Sequence, residues 1–149
     1  MKTNISKITK VILNMMFIVG IVTIITLPIS LKFYGENIDH TVTEYLLQMI
    51  IIFAISGLLS LAIVYELIKM FKTVLKEDCF VKENVVSLNK MSWYSFGISV
   101  MMLLQCIFYV TVSALAMAFV FMIAGLFSKV LAQVFDQAIS YKLENDLTI

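Results

Sequence analysis

The chain is expected to be an all-α membrane protein, a four-transmembrane-helix bundle with both termini in the cytosol. Three observations carry that expectation. Of its 149 residues 61% are hydrophobic, and the mean hydropathy is +0.99, against roughly 45–50% apolar in soluble domains. The apolar residues gather into four runs at about 11–33, 45–68, 93–110 and 113–134, and about 20 helical residues cross a hydrocarbon core of ~30 Å. All eleven basic residues are lysines, and with the runs read as spans ten of them share one side. Lysine near span ends is retained in the cytosol, so the bias sets the orientation. Length predicts one domain over 1–149, with 135–149 as a cytosolic tail.

Each element has its own justification. Lys2, Lys7 and Lys10 precede span one. That run is long for a signal peptide, and Pro28, Ile29, Ser30 and Leu31 make a poor cleavage site, so it reads as an uncleaved span. Pro28 removes a backbone donor and is expected to kink the helix. Tyr34 to Asp39 form a short acidic outer loop, the side on which only Lys32 falls, with Thr41 or Thr43 available to cap span two. Span two is expected to continue as helix through Lys76. Lys69, Lys72, Lys76, Lys82 and Lys90 lie in or beside the next gap. There Asn84 suits a helix cap, and Val85, Leu88 and Met91 recur at helical spacing. No Gly or Pro marks the turn after span three, so length alone places it near Tyr109–Ser113. Span four continues as a polar helix toward Glu144, with Lys129 and Lys142 at and beyond its end. Tyr34 and Tyr45 fall at the outer interface and Trp93 and Tyr94 at the inner one, where amphipathic aromatics concentrate.

Composition excludes several classes. With no arginine and a net charge of +1, there is no basic patch for direct nucleic-acid binding. The lysines suit an anionic inner leaflet instead. Cys79 would lie in a cytosolic loop and Cys106 within a span, so both are read as reduced thiols. His40 is the only histidine; with Tyr34, Glu36, Asp39 and Glu44 it does not make metal-ligand spacing. No cofactor motif, nucleophile elbow or H-E-x-x-H is found, and an enzyme is not expected. The ten methionines read as packing filler.

Four polar side chains within the spans are candidates for more than packing. Gln48 and Gln105 lie at matched depth, each about one turn inside the outer end of its span. They are expected to hydrogen-bond across the bundle, or to line a shallow polar site. Glu66 and Lys129 are the charges well inside spans. Glu66 has Lys69 at i+3 as a local partner, and Lys129 can snorkel to the headgroups. A proton- or ion-linked role for Glu66 is the alternative. Small residues at Ser56 and Ser60, and at Ala116, Ala124, Ser128 and Ala132, suit close helix packing within the bundle or a homo-oligomer seam.

Two cytosolic stretches look more specified than plain loops. The first, from Cys79 to Asn89, contains Phe80, Glu83, Asn84 and Leu88. The second is the tail, in which a helix through Leu143 would align Phe135, Ile139 and Leu143 before a short extended end. Its closing pattern is Ala138, Ile139, Lys142, Glu144, Asn145, Asp146, Leu147, Thr148, Ile149. An aromatic ahead of a Glu-Asn pair and a spaced Leu, together with that ending, resembles the bacterial membrane-protein family known as domain of unknown function 2975. The likeness runs over essentially the whole chain, apart from a very short turn between spans three and four. It implies no established activity, but it does imply a helix-turn-helix regulator encoded nearby as a partner. The leading functional expectation is a regulatory or partner-binding protein of the inner membrane. Its candidate contact residues are Phe80, Glu83, Asn84, Leu88, Lys142, Glu144, Asn145, Asp146 and Leu147. A small oligomeric transporter or channel component, and an immunity-type protein against a membrane-active peptide, are the alternatives.

Overall fold

The computed structural model describes residues 2–148, with side chains from Asn4 to Thr148. The described residues form five helices and no strand: α1 Lys2–Asn37, α2 His40–Glu44, α3 Leu46–Leu75, α4 Lys82–Phe108 and α5 Val112–Leu147. Four of them, α1, α3, α4 and α5, are long and apolar enough to cross a membrane. With ~20 residues needed per crossing, the 36 residues of α1 and of α5 leave polar turns to project beyond the hydrocarbon. Helix α1 is continuous across Pro28. The turn between spans three and four falls at Tyr109–Thr111, where length placed it, and Thr111 caps α5 by accepting the Ala114 amide at 3.1 Å. The cap at the other hairpin differs from expectation. Asp39, not a threonine, accepts the Thr41 amide and starts the short α2, and α3 begins behind Tyr45 with no side-chain cap.

The long helices pack in chain order. α1 lies on α3, α3 on α4, and α4 on α5, while α1 has no Cα within 8 Å of a Cα of α4 or α5. The bundle is therefore open along the α1/α5 side. The contact between α1 and α3 depends on reciprocal glycines: a Cβ at Gly20 would sit 2.7 Å from Leu61 Cδ2, and one at Gly57 2.8 Å from Ile24 Cγ1. Lipid is as apolar as leucine, so such close approach and interhelical hydrogen bonds hold membrane helices together.

The central helix is α4. Its buried positions (Asn84, Ser87, Leu88, Met91, Ser92, Ser95, Ile98, Ser99, Met102 and Gln105) recur every three or four residues along one stripe. Two of those serines reach across to backbone carbonyls of α5: Ser92 Oγ donates to Gly125 O and Ser99 Oγ to Ala118 O, both at 2.8 Å. The α5 face that receives them is Ala114, Ala118, Gly125, Ser128 and Ala132. Ser128 and Ala132 of the expected small-residue stripe lie on this face, whereas Ala116 is exposed and Ala124 only half-buried, their places being taken by Ala114, Ala118 and Gly125. Ile52, Ile98, Met102 and Ala118 form the core between α3, α4 and α5.

Candidate interaction surface

At the lysine-rich end the chain must turn from α3 into α4 in six residues. Helix α3 closes in a Schellman arrangement: the Asp78 amide donates to Thr73 O at 3.2 Å and the Glu77 amide to Val74 O at 3.1 Å. This places Glu77 in the left-handed region at φ 60°, where glycine is the usual residue. Val81 then serves as N-cap of α4. Asn84, expected as that cap, lies three residues inside the helix and does different work. Its Nδ2 donates to Thr73 Oγ1 at 2.7 Å and to Cys79 O at 2.8 Å, and only 1% of the residue is exposed. A carboxamide has two N–H donors, and here both clamp the loop to the helix before it.

The clamped loop meets the tail. Phe80 packs on Phe135 with ring centroids 5.3 Å apart and planes tilted by 54°. Lys82 Nζ lies 3.7 Å from Asp136 Oδ1, and Lys142 Nζ 3.6 Å from Asp78 Oδ1. These exposed ion pairs contribute about 0–1 kcal/mol each and chiefly fix which face of α5 looks at the loop. Beyond them the tail stays helical to Leu147, with Thr148 Oγ1 donating to Asn145 O at 2.9 Å, so the expected extended ending is replaced by helix. Ile139 is buried, but Leu143 is not; Tyr141, Leu143 and Leu147 are exposed, as are Glu83, Lys142, Glu144, Asn145 and Asp146. Leu88 is buried beside Asn84 and belongs to the support of this surface.

Two helical turns along α3 from Thr73, Glu66 is buried, with 6% of its side chain exposed. Its partners are on α4 rather than at i+3: Ser87 Oγ donates to Oε2 at 2.7 Å and Lys90 Nζ lies 3.5 Å from Oε1. The expected Lys69 pairing is thereby corrected, because α3 turns Glu66 inward onto α4 while Lys90 reaches it from the rim. Lys129 of α5 donates to Asn89 Oδ1 of α4 at 2.7 Å. Glu66, Lys90 and Lys129 thus cross-link three helices at one level.

At the opposite end, Asp39 Oδ2 accepts the Tyr109 hydroxyl at 2.5 Å, tying the α1–α2 junction to the α4–α5 turn. That bond and those from Thr41 hold the Asp39 carboxyl below the ordinary carboxylate range. Tyr45 and Phe108 pack nearby with centroids 5.8 Å apart. The expected Gln48–Gln105 pair does not form. Gln48 is exposed, whereas Gln105 is buried with its Oε1 unpartnered. Matched depth along two helices does not guarantee that two side chains share a face.

A family model described as protein of unknown function (DUF2975) matches residues 9–149. No curated protein and no solved structure matches the chain. The matched range takes in α1 from residue 9 onward, the other three helices long and apolar enough to cross a membrane, the clamped loop and the tail, and the chain belongs to the DUF2975 family.

Proposed function

We propose that the chain is a non-enzymatic, multi-pass protein of the bacterial cytoplasmic membrane that acts on a soluble partner through its lysine-rich face. The observation that carries this reading is the convergence of loop and tail, joined by Phe80–Phe135, Lys82–Asp136 and Lys142–Asp78. Two segments far apart in sequence become one fixed surface, from which exposed Tyr141, Leu143 and Leu147 project. Leu143 and Leu147, four residues apart on one face of a helix beyond the span, are anchors of the kind a groove on a partner accepts, while Tyr141 projects from the opposite face. Orientation follows from the lysine bias, which favours a cytosolic location for both termini. The resemblance described above suggests a helix-turn-helix regulator as the partner.

Deletion of Leu143–Ile149 tests the reading. The shortened protein is expected to stay in the membrane, to stop co-purifying with a helix-turn-helix regulator encoded beside it, and to change that regulator's transcriptional output. Unchanged co-purification and output would remove the tail from the function.

A further inference from the structure

The open α1/α5 side encloses a cleft of about 460 Å³ lined by all four long helices. That volume falls within the ~300–1,000 Å³ of small-molecule sites. Two residues of its wall carry a buried side-chain oxygen without a hydrogen-bond partner among the described residues, Ser56 Oγ of α3 and Gln105 Oε1 of α4, the residues being only 6% and 5% exposed. Each such atom costs about 1–3 kcal/mol when left unpaired, and hydrocarbon offers it nothing. Among the described residues no charged side chain lines the cleft.

The two atoms sit at different depths. Gln105 lies three residues before the end of α4 and Ser56 ten residues into α3. At 1.5 Å per residue, these positions are roughly 5 Å and 15 Å from the Asp39 end of their helices. Between and below them the wall is mostly apolar, with Ile24, Leu61, Met117 and Phe121, and the Thr23 and Ser60 hydroxyls there donate to carbonyls of their own helices. Water needs two to four polar partners and does not fill an apolar volume of this size.

We propose that the cleft binds a neutral single-chain amphiphile from the bilayer. Its hydroxyl head hydrogen-bonds Gln105 near the rim, and its hydrocarbon chain runs inward past Ser56, whose hydroxyl rotates to the carbonyl one turn earlier on α3. A hydroxyl both donates and accepts, which satisfies the Gln105 carboxamide, and the uncharged wall excludes a phosphate-bearing head from the interior. Entry is lateral, through the gap between α1 and α5.

The test uses the full-length protein in phosphatidylcholine nanodiscs, with monooleoylglycerol as probe and binding read by native mass spectrometry. Methyl oleate, which has the chain but no hydroxyl, and lyso-phosphatidylglycerol, which adds a charge, are the controls. One saturable monooleoylglycerol per chain is expected, bound at least tenfold more tightly than either control. Gln105→Leu keeps the side-chain volume and is expected to weaken monooleoylglycerol about tenfold while leaving methyl oleate unchanged. Thr23→Phe, at an exposed position of α1 on the cleft wall, is expected to abolish binding with the melting temperature retained. No saturable adduct on the wild type, equal binding of methyl oleate, preference for the charged lipid, or full affinity in Gln105→Leu would each overturn the proposal.

Discussion

The Glu66–Lys90–Ser87 seam makes the sharpest stability prediction, because one partner is buried and the other is not. Lys90→Ala removes the counter-ion of a carboxylate that is only 6% exposed, while Lys90 itself is 48% exposed. At 3.5 Å and an effective dielectric of about 20, the gross attraction is about 5 kcal/mol. Desolvation of the carboxylate offsets much of this, and solvent around Lys90 screens part of the rest. A net loss of about 1–2 kcal/mol is expected. For a chain of this size that lowers the melting temperature by about 2–8 °C. Glu66→Gln keeps an acceptor for Ser87 and removes the charge, so it should be milder. The double variant should recover most of the Lys90→Ala loss, and thermal unfolding in one detergent supplies the full cycle. A neutral Lys90→Ala, or a double variant no better than the single, would refute the assignment of Lys90 as the functional counter-ion of Glu66.

Three further outcomes follow from the geometry. Glu77→Gly should raise stability by about 1 kcal/mol in the same unfolding assay, by relieving a left-handed residue in the α3 Schellman turn. Ser92→Ala and Ser99→Ala should each cost about 0.6 kcal/mol and at most about 1.7. Seven residues, about 10 Å, apart on α4, they should be additive within about 0.5 kcal/mol. The Asp39 carboxyl is held below its ordinary 3.8 in the folded state, so its contribution is present above pH 3.8 and is lost as pH falls through the folded value. Tyr109→Phe removes the first cause of that depression and should flatten the acid limb of the stability profile. An unchanged limb would assign the acid sensitivity to other groups.

Hydropathy and lysine placement make the four spans legible in the sequence, because a run's length and its flanking charge are local properties. Even the turn at Tyr109–Thr111 followed from length. What escaped depends on which way each helix is rotated. Gln48 and Gln105 share a depth but not a face, and Glu66 meets Lys90 across the α3–α4 contact rather than Lys69 along its own helix. The serines at 87, 92, 95 and 99 follow the spacing of a buried stripe. In an apolar span that spacing was the available signal for α4 as the central helix. The shift from Ala116 and Ala124 to Ala114, Ala118 and Gly125 has the same origin: several small-residue registers coexist on α5, and only the serine donors of α4 choose between them. For the partner surface, loop and tail were both singled out, but not their joining. That depends on Asn84 clamping the loop against Thr73 and Cys79, so that Phe80 stands over Phe135. The α1/α5 opening has no sequence signature, since every residue facing it is ordinary for a membrane helix.

The central claim is that the loop–tail surface faces the cytosol. Its most direct test is thiol labelling in intact cells, with Cys79 and Cys106 replaced by serine and one new cysteine placed at Asn145→Cys or at His40→Cys, both exposed positions. A membrane-impermeant maleimide should modify His40→Cys in intact cells and reach Asn145→Cys only after lysis. Labelling of Asn145→Cys in intact cells, with His40→Cys protected until lysis, would invert the topology and contradict the account.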